Sequence, residues 1–262
     1  MIWAVHISAY VLTWPWIVSG FAGMFILVLV GLWRITEQEI PRVALLTAVF
    51  FVASSIHLPI GPTSVHLVMN GLVGLVLGRR AAVAIPVGLL LQAALLGHGD
   101  LSTWGINSCI MTIPALLAAP MMRGMMTSEH HGFAKAALTL SWCLYPWSVL
   151  VVAPLAVMER RLQTTMEFRG GFAVGFIAVL FSAVLNSVAL ALGGIENWKP
   201  VALLTLAVHL PVAVIEGVVV GAVVKLLMRV KPELLRMNVN WEFIRPVEKP
   251  RPSALPIAPV PR

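Results

Sequence analysis

The feature that most constrains this chain is a series of long apolar stretches that carry almost no charge. An α-helix rises about 1.5 Å per residue, so about 20 apolar residues cross the hydrocarbon core of a bilayer. Several stretches of the sequence approach or exceed this length. Eight candidates run over about 10–33, 42–58, 65–78, 81–97, 105–122, 134–157, 171–193 and 201–228.

The composition excludes a water-soluble surface. Of the 262 residues 59% are hydrophobic and 11% are charged, whereas soluble domains carry about 25% charged residues. We therefore predict an all-α integral membrane protein, a bundle of about seven transmembrane helices drawn from seven or eight candidate segments. The short third segment and the fourth bracket Arg79 and Arg80. This pair is either a tight helical hairpin or one span with a partly inserted segment.

Basic residues between the segments predict the orientation. Arg34 and Arg42 flank the first connection, Arg79 and Arg80 lie in the third, and further basic residues follow in the tail. By the positive-inside rule these face the cytosol. The N-terminus then lies outside and the C-terminal tail inside, in a multi-pass protein of the cell (inner) membrane. Termini on opposite sides of the membrane require an odd number of spans. A literal count of eight spans also puts the Arg-bearing loop 158–170 outside. We therefore expect that one short segment does not cross fully.

The chain divides into two regions by composition. Residues 1–229 hold the apolar segments and are predicted to form the transmembrane helical domain. From Lys231 onward the sequence contains seven prolines and no apolar face. Such a composition is typical of disorder, so residues 230–262 are predicted to form a cytosolic, Pro-rich tail.

Common enzyme motifs are missing from the sequence. It contains no GxxxxGK[ST] phosphate loop, no HExxH and no GxSxG, which removes the usual signatures of an ATPase, a zinc protease or an esterase. We predict that the chain is not an enzyme and that any active transport takes its energy from outside this chain. Two alternatives stay open: a His-based intramembrane metalloenzyme, with Asp100 as its outer-loop base, and a passive metal channel.

Histidines suggest a metal site. His6, His57, His66 and His98 all fall on the outer side of the predicted topology. Neutral imidazole is the commonest ligand for transition metals, and several imidazoles in one pocket would bind Ni(II), Co(II), Cu(II) or Zn(II). The domain 1–229 is therefore predicted to carry an outward-facing metal pocket.

Two blocks of the sequence resemble a known family. Residues 54–67 read Ser-Ser-Ile-His-Leu-Pro-Ile-Gly-Pro-Thr-Ser-Val-His-Leu and continue with Asn-Gly-Leu-Val-Gly at 70–74; residues 92–100 read Gln-Ala-Ala-Leu-Leu-Gly-His-Gly-Asp, with Asn107 following. Both blocks are similar to the CbiM/NikM family. Its members are the substrate-binding membrane subunits of energy-coupling-factor (ECF) transporters for cobalt and nickel. The likeness extends to about residue 228.

The resemblance implies a specific ligand set. Family members begin Met-His-Ile and hold the metal in a square plane with the N-terminal amine, the backbone and imidazole nitrogens of the second residue, and a later His that corresponds to His66. This chain departs from that pattern because His6 is sixth. Val5-His6-Ile7 aligns with Met-His-Ile, so we hypothesise that the functional chain starts at position 5, by initiation there or by trimming after Ala4. Val5 would then supply the free amine.

Further polar residues are candidates for supporting this site. His57, Asn70, Gln92, His98 and Asn107 could orient the ligands from a second layer, since metal-bound imidazoles usually donate their other proton to a partner; each could equally be a polar group that satisfies a helix end. His209 and Glu216, seven residues apart, share a face of the last apolar helix. They mark either a functional site or a hydrogen bond between helices.

The sequence therefore predicts the substrate-binding component of an ATP-driven ECF importer for Ni(II) or Co(II), supplying metal for cobalamin synthesis or nickel enzymes. No permanent cofactor is expected; the metal is cargo. The resemblance implies CbiO/NikO-like ATPase subunits, a CbiQ/NikQ-like membrane coupling subunit and a small CbiN/NikN/NikL-like subunit as partners, and no nucleic acid.

Overall fold

The computed structural model describes Ile7 and residues 11–60, 63–127 and 165–235 of the chain. These ranges contain seven helices and one small hairpin. The helices are α1 (Trp14–Leu32), α2 (Ile40–Ser55), α3 (Asn70–Leu77), α4 (Ala81–Leu91), α5 (Trp104–Thr127), α6 (Met166–Gly193) and α7 (Lys199–Val230). Strands β1 (His57–Ile60) and β2 (Thr63–His66) pair antiparallel. Short 3₁₀ turns lie at Glu37–Glu39, Gly78–Arg80 and Pro232–Leu234, and a π turn extends α4 over Gln92–Leu96.

The predicted helical membrane fold is confirmed, with a lower helix count. Within the described ranges, five helical stretches are long and apolar enough to cross a membrane. They are Trp14–Leu32, Asn70–Leu96, Trp104–Met126, Met166–Gly193 and Lys199–Val230. The count is below the predicted seven because α2 has only 16 residues and the third and fourth apolar segments form one stretch with an internal break. The candidate segment 134–157 lies outside the described residues.

Helix α3 runs parallel to α5. The Asn70 side-chain nitrogen donates to the Met111 carbonyl oxygen at 3.1 Å, and one turn further along, a side chain on Gly74 would collide with the Ala115 backbone. Because Met111 follows the first residue of α5 by seven positions, α3 begins about 10 Å inside the bundle. The chain before α3 therefore enters the bundle as non-helical backbone, which is tolerated at membrane depth only where protein surrounds it.

Helix α4 returns in the opposite direction. Gly78 has φ 55° and ψ −128°, a conformation that favours glycine, and it ends α3. The Trp104 indole at the start of α5 then donates to the Pro86 carbonyl oxygen of α4 at 2.8 Å. The two short segments thus form a tight helical hairpin, one of the two arrangements that the sequence left open.

The two ends of the bundle are defined by contacts between helices. We call the end at Trp104 and Gly193 the upper end, and the end at Arg80 and Met122 the lower end. Gly193 packs against the Trp16 ring, and Gly170 packs against Met122, so α6 starts at the lower end. Arg169, the described arginine of loop 158–170, therefore lies at the same end as Arg80, where the positive-inside rule expects it.

Arg80 fastens the lower end. Its side chain is 1% exposed and donates to the carbonyl oxygens of Gly31, Trp33 and Arg34 at 2.6, 2.8 and 2.7 Å. It also forms an ion pair with Glu39 at 2.7 Å. One guanidinium therefore ties the end of α1 and the start of α2 to the turn between α3 and α4.

The residues after α7 also pack onto the lower end. The Arg42 side chain donates to the carbonyl oxygens of Val76, at 2.9 Å, and Leu234. Leu235 is 2% exposed and belongs to the apolar core around α3 and α7. The first residues of the Pro-rich segment, through Leu235, thus extend the helical unit, and residues 236–262 lie outside the described ranges.

Candidate metal centre

The hairpin β1–β2 carries His66 into the bundle. Its register pairs His57 with His66, and residues paired in this way have Cα atoms about 4.5–5.5 Å apart. His66 is 1% exposed, and its Nδ1 lies 3.1 Å from the Leu67 carbonyl oxygen. The hairpin therefore brings together the backbones of two predicted site histidines and buries the side chain of one of them.

Glu216 of α7 holds the segment that follows His66. Its Oε2 accepts the Val68 backbone N–H at 3.0 Å, and Glu216 is 0% exposed. Met69, the next residue, has φ 53°, which is uncommon for a residue other than glycine. The chain thus turns sharply between His66 and α3, and a buried carboxyl group from the last helix supports the turn.

Asn70 bridges three helices. Its side-chain nitrogen donates to the Met111 carbonyl oxygen on α5 and, at 2.9 Å, to the Ser182 hydroxyl on α6. The spacing from His66 predicts that Asn70 orients or supports the site. The amide nitrogen contacts α5 and α6, so Asn70 fixes the start of α3, and its side-chain oxygen is buried without a hydrogen-bond partner among the described residues.

The N-terminal segment is attached to α5 next to this turn. The Asn107 side chain accepts the Ile7 backbone N–H and donates to the Ile7 carbonyl oxygen, both at 3.2 Å. The Thr103 hydroxyl donates to the same carbonyl at 2.6 Å. Ile7 is 3% exposed and Asn107 is 5% exposed. The residue after His6 is therefore held inside the upper half of the bundle; Val5 and His6 themselves lie outside the described residues.

A small cavity connects these parts. It measures about 320 Å³ when the space on its open side is included. Its lining comprises Val68, Asn107, Ile110, Met111, Ser182, Ala183, Asn186 and His209. Val68 follows His66 by two residues and Asn107 holds Ile7, so a residue of the His66 turn and the side chain that holds Ile7 line the same cavity.

His209 faces this cavity from α7. Its Nδ1 lies 2.6 Å from the Thr205 carbonyl oxygen, which can only accept, so Nδ1 carries a proton. In a neutral ring Nε2 is then the acceptor. His209 and Glu216 therefore lie at different points along one face of α7. His209 lines the cavity, and Glu216 contacts the turn after His66.

Gln92 and His98, two further predicted site residues, do not line this cavity. The Gln92 amide donates to the Ser54 hydroxyl of α2, so it joins α4 to α2. His98 lines a second cavity together with Asp100, Trp104 and Asn107. Asn107 borders both cavities and is the described link between His98 and the Ile7 segment.

The chain matches a known protein family. Residues 6–234 match the family model described as "Cobalt uptake substrate-specific transmembrane region", CbiM. This match covers most of the chain. The chain belongs to the CbiM family. It is accordingly a membrane component of cobalt or nickel transport, and the predicted resemblance is confirmed.

Similar proteins support the family assignment. A putative metal transport protein of Haemophilus influenzae is 29% identical over 237 residues, which cover 90% of this chain and 100% of that protein. Cobalt transport protein CbiM of Geobacter sulfurreducens is 28% identical over 245 residues, covering 88% of this chain and 62% of that protein. A crystal structure of a truncated transition metal transporter has the same fold, with a TM-score of 0.63 at 18% identity over 86% of this chain and 98% of that one.

Sequence reasoning missed two residues of the candidate site. Thr103 and Ser182 contact Ile7 and Asn70. Their signal is weak because serine and threonine are common within membrane helices, where they often bond to backbone carbonyls. Thr103 does stand four residues before Asn107, the spacing of one helical face. Among the described residues no three His, Cys, Asp or Glu side chains come together as a metal-binding group.

Proposed function

We propose that this CbiM-family chain is the substrate-binding component of an ATP-driven ECF importer for Ni(II) or Co(II). The observation that carries the proposal is the convergence of two segments on one cavity. The His66 turn reaches it through Val68, and Ile7 reaches it through Asn107. Neighbouring Cα atoms lie about 3.8 Å apart, so a fixed Ile7 restricts His6 to the same neighbourhood.

The metal ligands are the free amine of Val5 as the mature N-terminal residue, the backbone and imidazole nitrogens of His6, and the imidazole of His66. Amine, deprotonated amide and imidazole form fused chelate rings, and a planar nitrogen field suits Ni(II). This ligand set requires a chain that starts at position 5. The match to the family model begins at His6, so Met1–Ala4 lie outside it.

The supporting residues have separate roles in this proposal. Asn107 places the His6 segment, and Asn70 fixes the helix after the His66 turn. His57 stands opposite His66 in the hairpin, while Gln92 and His98 support the surrounding elements. His209 borders the ligand cavity.

Charge placement supports a cytosolic lower end and an outer metal pocket. Of the ten basic residues in the described ranges, nine lie at the lower end and one, Lys199, lies at the upper end. The nine are Arg34, Arg42, Arg79, Arg80, Arg123, Arg169, Lys225, Arg229 and Lys231. The positive-inside rule then puts the upper end and the metal pocket outside, as an importer requires. We propose the cell (inner) membrane as the location.

Names of relatives support two of the proposed partners. One relative is a fused nickel transport protein NikMN of Rhodobacter capsulatus, and another is a putative fused cobalt transport protein CbiMQ of Methanocorpusculum labreanum. We propose that this chain works with CbiN/NikN/NikL-like and CbiQ/NikQ-like membrane subunits. The missing GxxxxGK[ST] motif requires separate CbiO/NikO-like ATPase subunits.

Family membership fits a transporter and not the alternative metalloenzyme. The proposed base of that enzyme, Asp100, instead accepts the Ser102 backbone N–H at 2.7 Å and so stabilises its own loop. Asp100→Asn should therefore leave metal uptake intact. The passive-channel alternative predicts uptake by the chain alone, whereas an importer requires the partners and their ATP hydrolysis.

Metal titration of the purified protein tests the proposal. Chains starting at Met1 and at a methionine in position 5 are titrated with Ni(II) and Co(II), each with and without His66→Ala. His130→Ala serves as the control, because His130 stands in a polar stretch between two apolar segments and belongs to no predicted site. Tight binding by the shorter chain alone, lost in His66→Ala and kept in His130→Ala, is expected. Equal binding by both chains would refute the N-terminal chelate, and mass spectrometry of an intact Met1–Ala4 terminus in the functional protein would do the same.

A further inference from the structure

The segment between His66 and α3 accepts support from one carboxyl group among the described residues, that of Glu216, which forms a hydrogen bond to it. Its Oε2 accepts the Val68 N–H at 3.0 Å across 148 residues of sequence. Both residues are buried, at 0% and 1% exposure. A carboxyl group inside a membrane bundle is costly, so its place on this loop requires an explanation.

Helix packing does not explain the Glu216 side chain. Where α6 crosses α7, a Cβ on Gly175 would lie 2.9 Å from the Glu216 carbonyl oxygen, and one on Gly171 would lie 2.8 Å from Gly221. The close approach of the two helices is therefore made by backbone and small residues. The Glu216 side chain leaves this interface and reaches the His66 turn.

The turn needs an external acceptor. It precedes the first turn of α3, where backbone N–H groups have no partner within the helix, and it lies about 10 Å inside the bundle, where water does not replace a lost partner. The other carboxyl oxygen, Oε1, is buried without a hydrogen-bond partner among the described residues. Within the described residues, the Glu216 side chain therefore makes its hydrogen bond to the segment that follows His66.

We propose that Glu216 is a positioning residue for the metal site, holding the Val68 backbone so that the His66 imidazole occupies its ligand position. The proposal rests on the proposed role of His66 as a metal ligand. The acceptor oxygen carries the function, and the negative charge does not. An amide at position 216 should therefore replace the carboxyl group, and an apolar side chain of similar size should not.

The first measurement needs no metal. Hydrogen–deuterium exchange of the backbone over residues 66–70 is compared in the unchanged protein, Glu216→Gln and Glu216→Leu, all starting at position 5 in detergent. Faster exchange in Glu216→Leu, with exchange near that of the unchanged protein in Glu216→Gln, is expected. Equal exchange in all three would overturn the proposal whether or not the protein binds metal.

The second measurement reads the metal site itself. Removal of groups that orient metal ligands typically costs about 10-fold to 100-fold in affinity, and we expect a loss of that size for Ni(II) in Glu216→Leu. Cu(II) serves as a spectroscopic probe of the same site. In Glu216→Leu its electron paramagnetic resonance spectrum should lose the hyperfine coupling to one nitrogen ligand. Glu216→Gln should retain both the affinity and the signal.

Ser187→Ala is the matched control. It removes a different buried hydrogen bond between α6 and α7, from the Ser187 hydroxyl to the Ala202 carbonyl oxygen at 2.9 Å, and it should leave Ni(II) affinity unchanged. A loss as large as that of Glu216→Leu would show that general loosening weakens the site, against the proposal. A loss in Glu216→Gln equal to that in Glu216→Leu would also overturn it. If the unchanged protein binds no metal, the proposed function fails and the exchange result still decides the role of Glu216.

Discussion

At the scale of single residues, Asn107 has the most specific chemistry. Its amide serves the N–H and the carbonyl oxygen of Ile7 at once, which requires a donor and an acceptor on one short side chain. Asparagine provides both, whereas aspartate provides acceptors alone when ionised. Replacing the amide with a carboxylate would therefore keep the acceptor for the Ile7 N–H and remove the donor to the Ile7 carbonyl oxygen.

Asn107→Asp should weaken Ni(II) binding. The second carboxylate oxygen would face the Ile7 carbonyl oxygen that now accepts a hydrogen bond, so the segment next to His6 would be displaced. We expect an affinity loss of about 10-fold to 100-fold, as for other groups that orient ligands, measured by calorimetric titration. Asn197→Asp makes the same chemical change at an exposed upper-end residue and should bind normally. Equal losses in the two variants would contradict the role of Asn107.

The sequence predicts individual residues of the proposed site better than it predicts the contacts between them. His66 and Asn107 were identified from the family-like blocks. The spacing between His66 and Asn70 predicts a shared helical face, yet His66 ends a strand and α3 starts at Asn70. The sequence marks Glu216 as a carboxyl group inside a membrane helix, but its contact with Val68 joins segments 148 residues apart. Spacing along one helix holds no information about such a contact.

At the scale of the elements, the long helices follow directly from hydropathy. The apolar stretches 105–122 and 201–228 correspond to Trp104–Thr127 and Lys199–Val230. The hydropathy of stretch 65–78 says less about its secondary structure, because a buried strand and a buried helix are equally apolar. The structure divides it into a strand, a sharp turn and a half-length helix.

The break between α3 and α4 depends on Gly78. Its φ of 55° and ψ of −128° belong to a region that a Cβ makes unfavourable, at a cost of about 1–3 kcal/mol. Gly78→Ala should therefore lower the free energy of unfolding by that amount, measured by chemical unfolding in detergent micelles. Gly97→Asn is the control: Gly97 has φ 64° and ψ 20°, which asparagine tolerates. A larger loss in the control would argue against a backbone requirement at Gly78.

Arg80 should be the costliest side chain to remove at the lower end. Arg80→Met leaves three backbone carbonyl groups and the Glu39 carboxylate without their donor. Breaking a buried ion pair costs about 3–5 kcal/mol, and we expect a loss of this size in the free energy of unfolding. Arg79→Met changes the adjacent, exposed arginine and should have little effect. Similar melting curves for the two variants would show that the buried network contributes nothing.

At the scale of the whole molecule, the proposed capture of metal from outside depends on the distribution of charge and on the depth of His66. Nine of ten described basic residues lie at the lower end, while Ile7 and the His66 turn lie in the upper half. A single inversion of the protein in the membrane would turn an importer site into a cytosolic one. Orientation is therefore a requirement of the proposed function, and it can be measured without metal.

Labelling of single introduced cysteines measures this orientation. Asn197→Cys places a thiol on the exposed upper loop and Glu37→Cys places one on the exposed lower loop, and the unchanged chain corrects for its two native cysteines. A membrane-impermeant maleimide should label Asn197→Cys in intact cells and Glu37→Cys only after permeabilisation, because the basic lower end is retained in the cytosol. The reverse pattern would place the His66 cavity on the cytosolic side. Metal capture from outside would then be impossible for this chain, and the importer proposal would fail even if purified protein bound Ni(II) tightly.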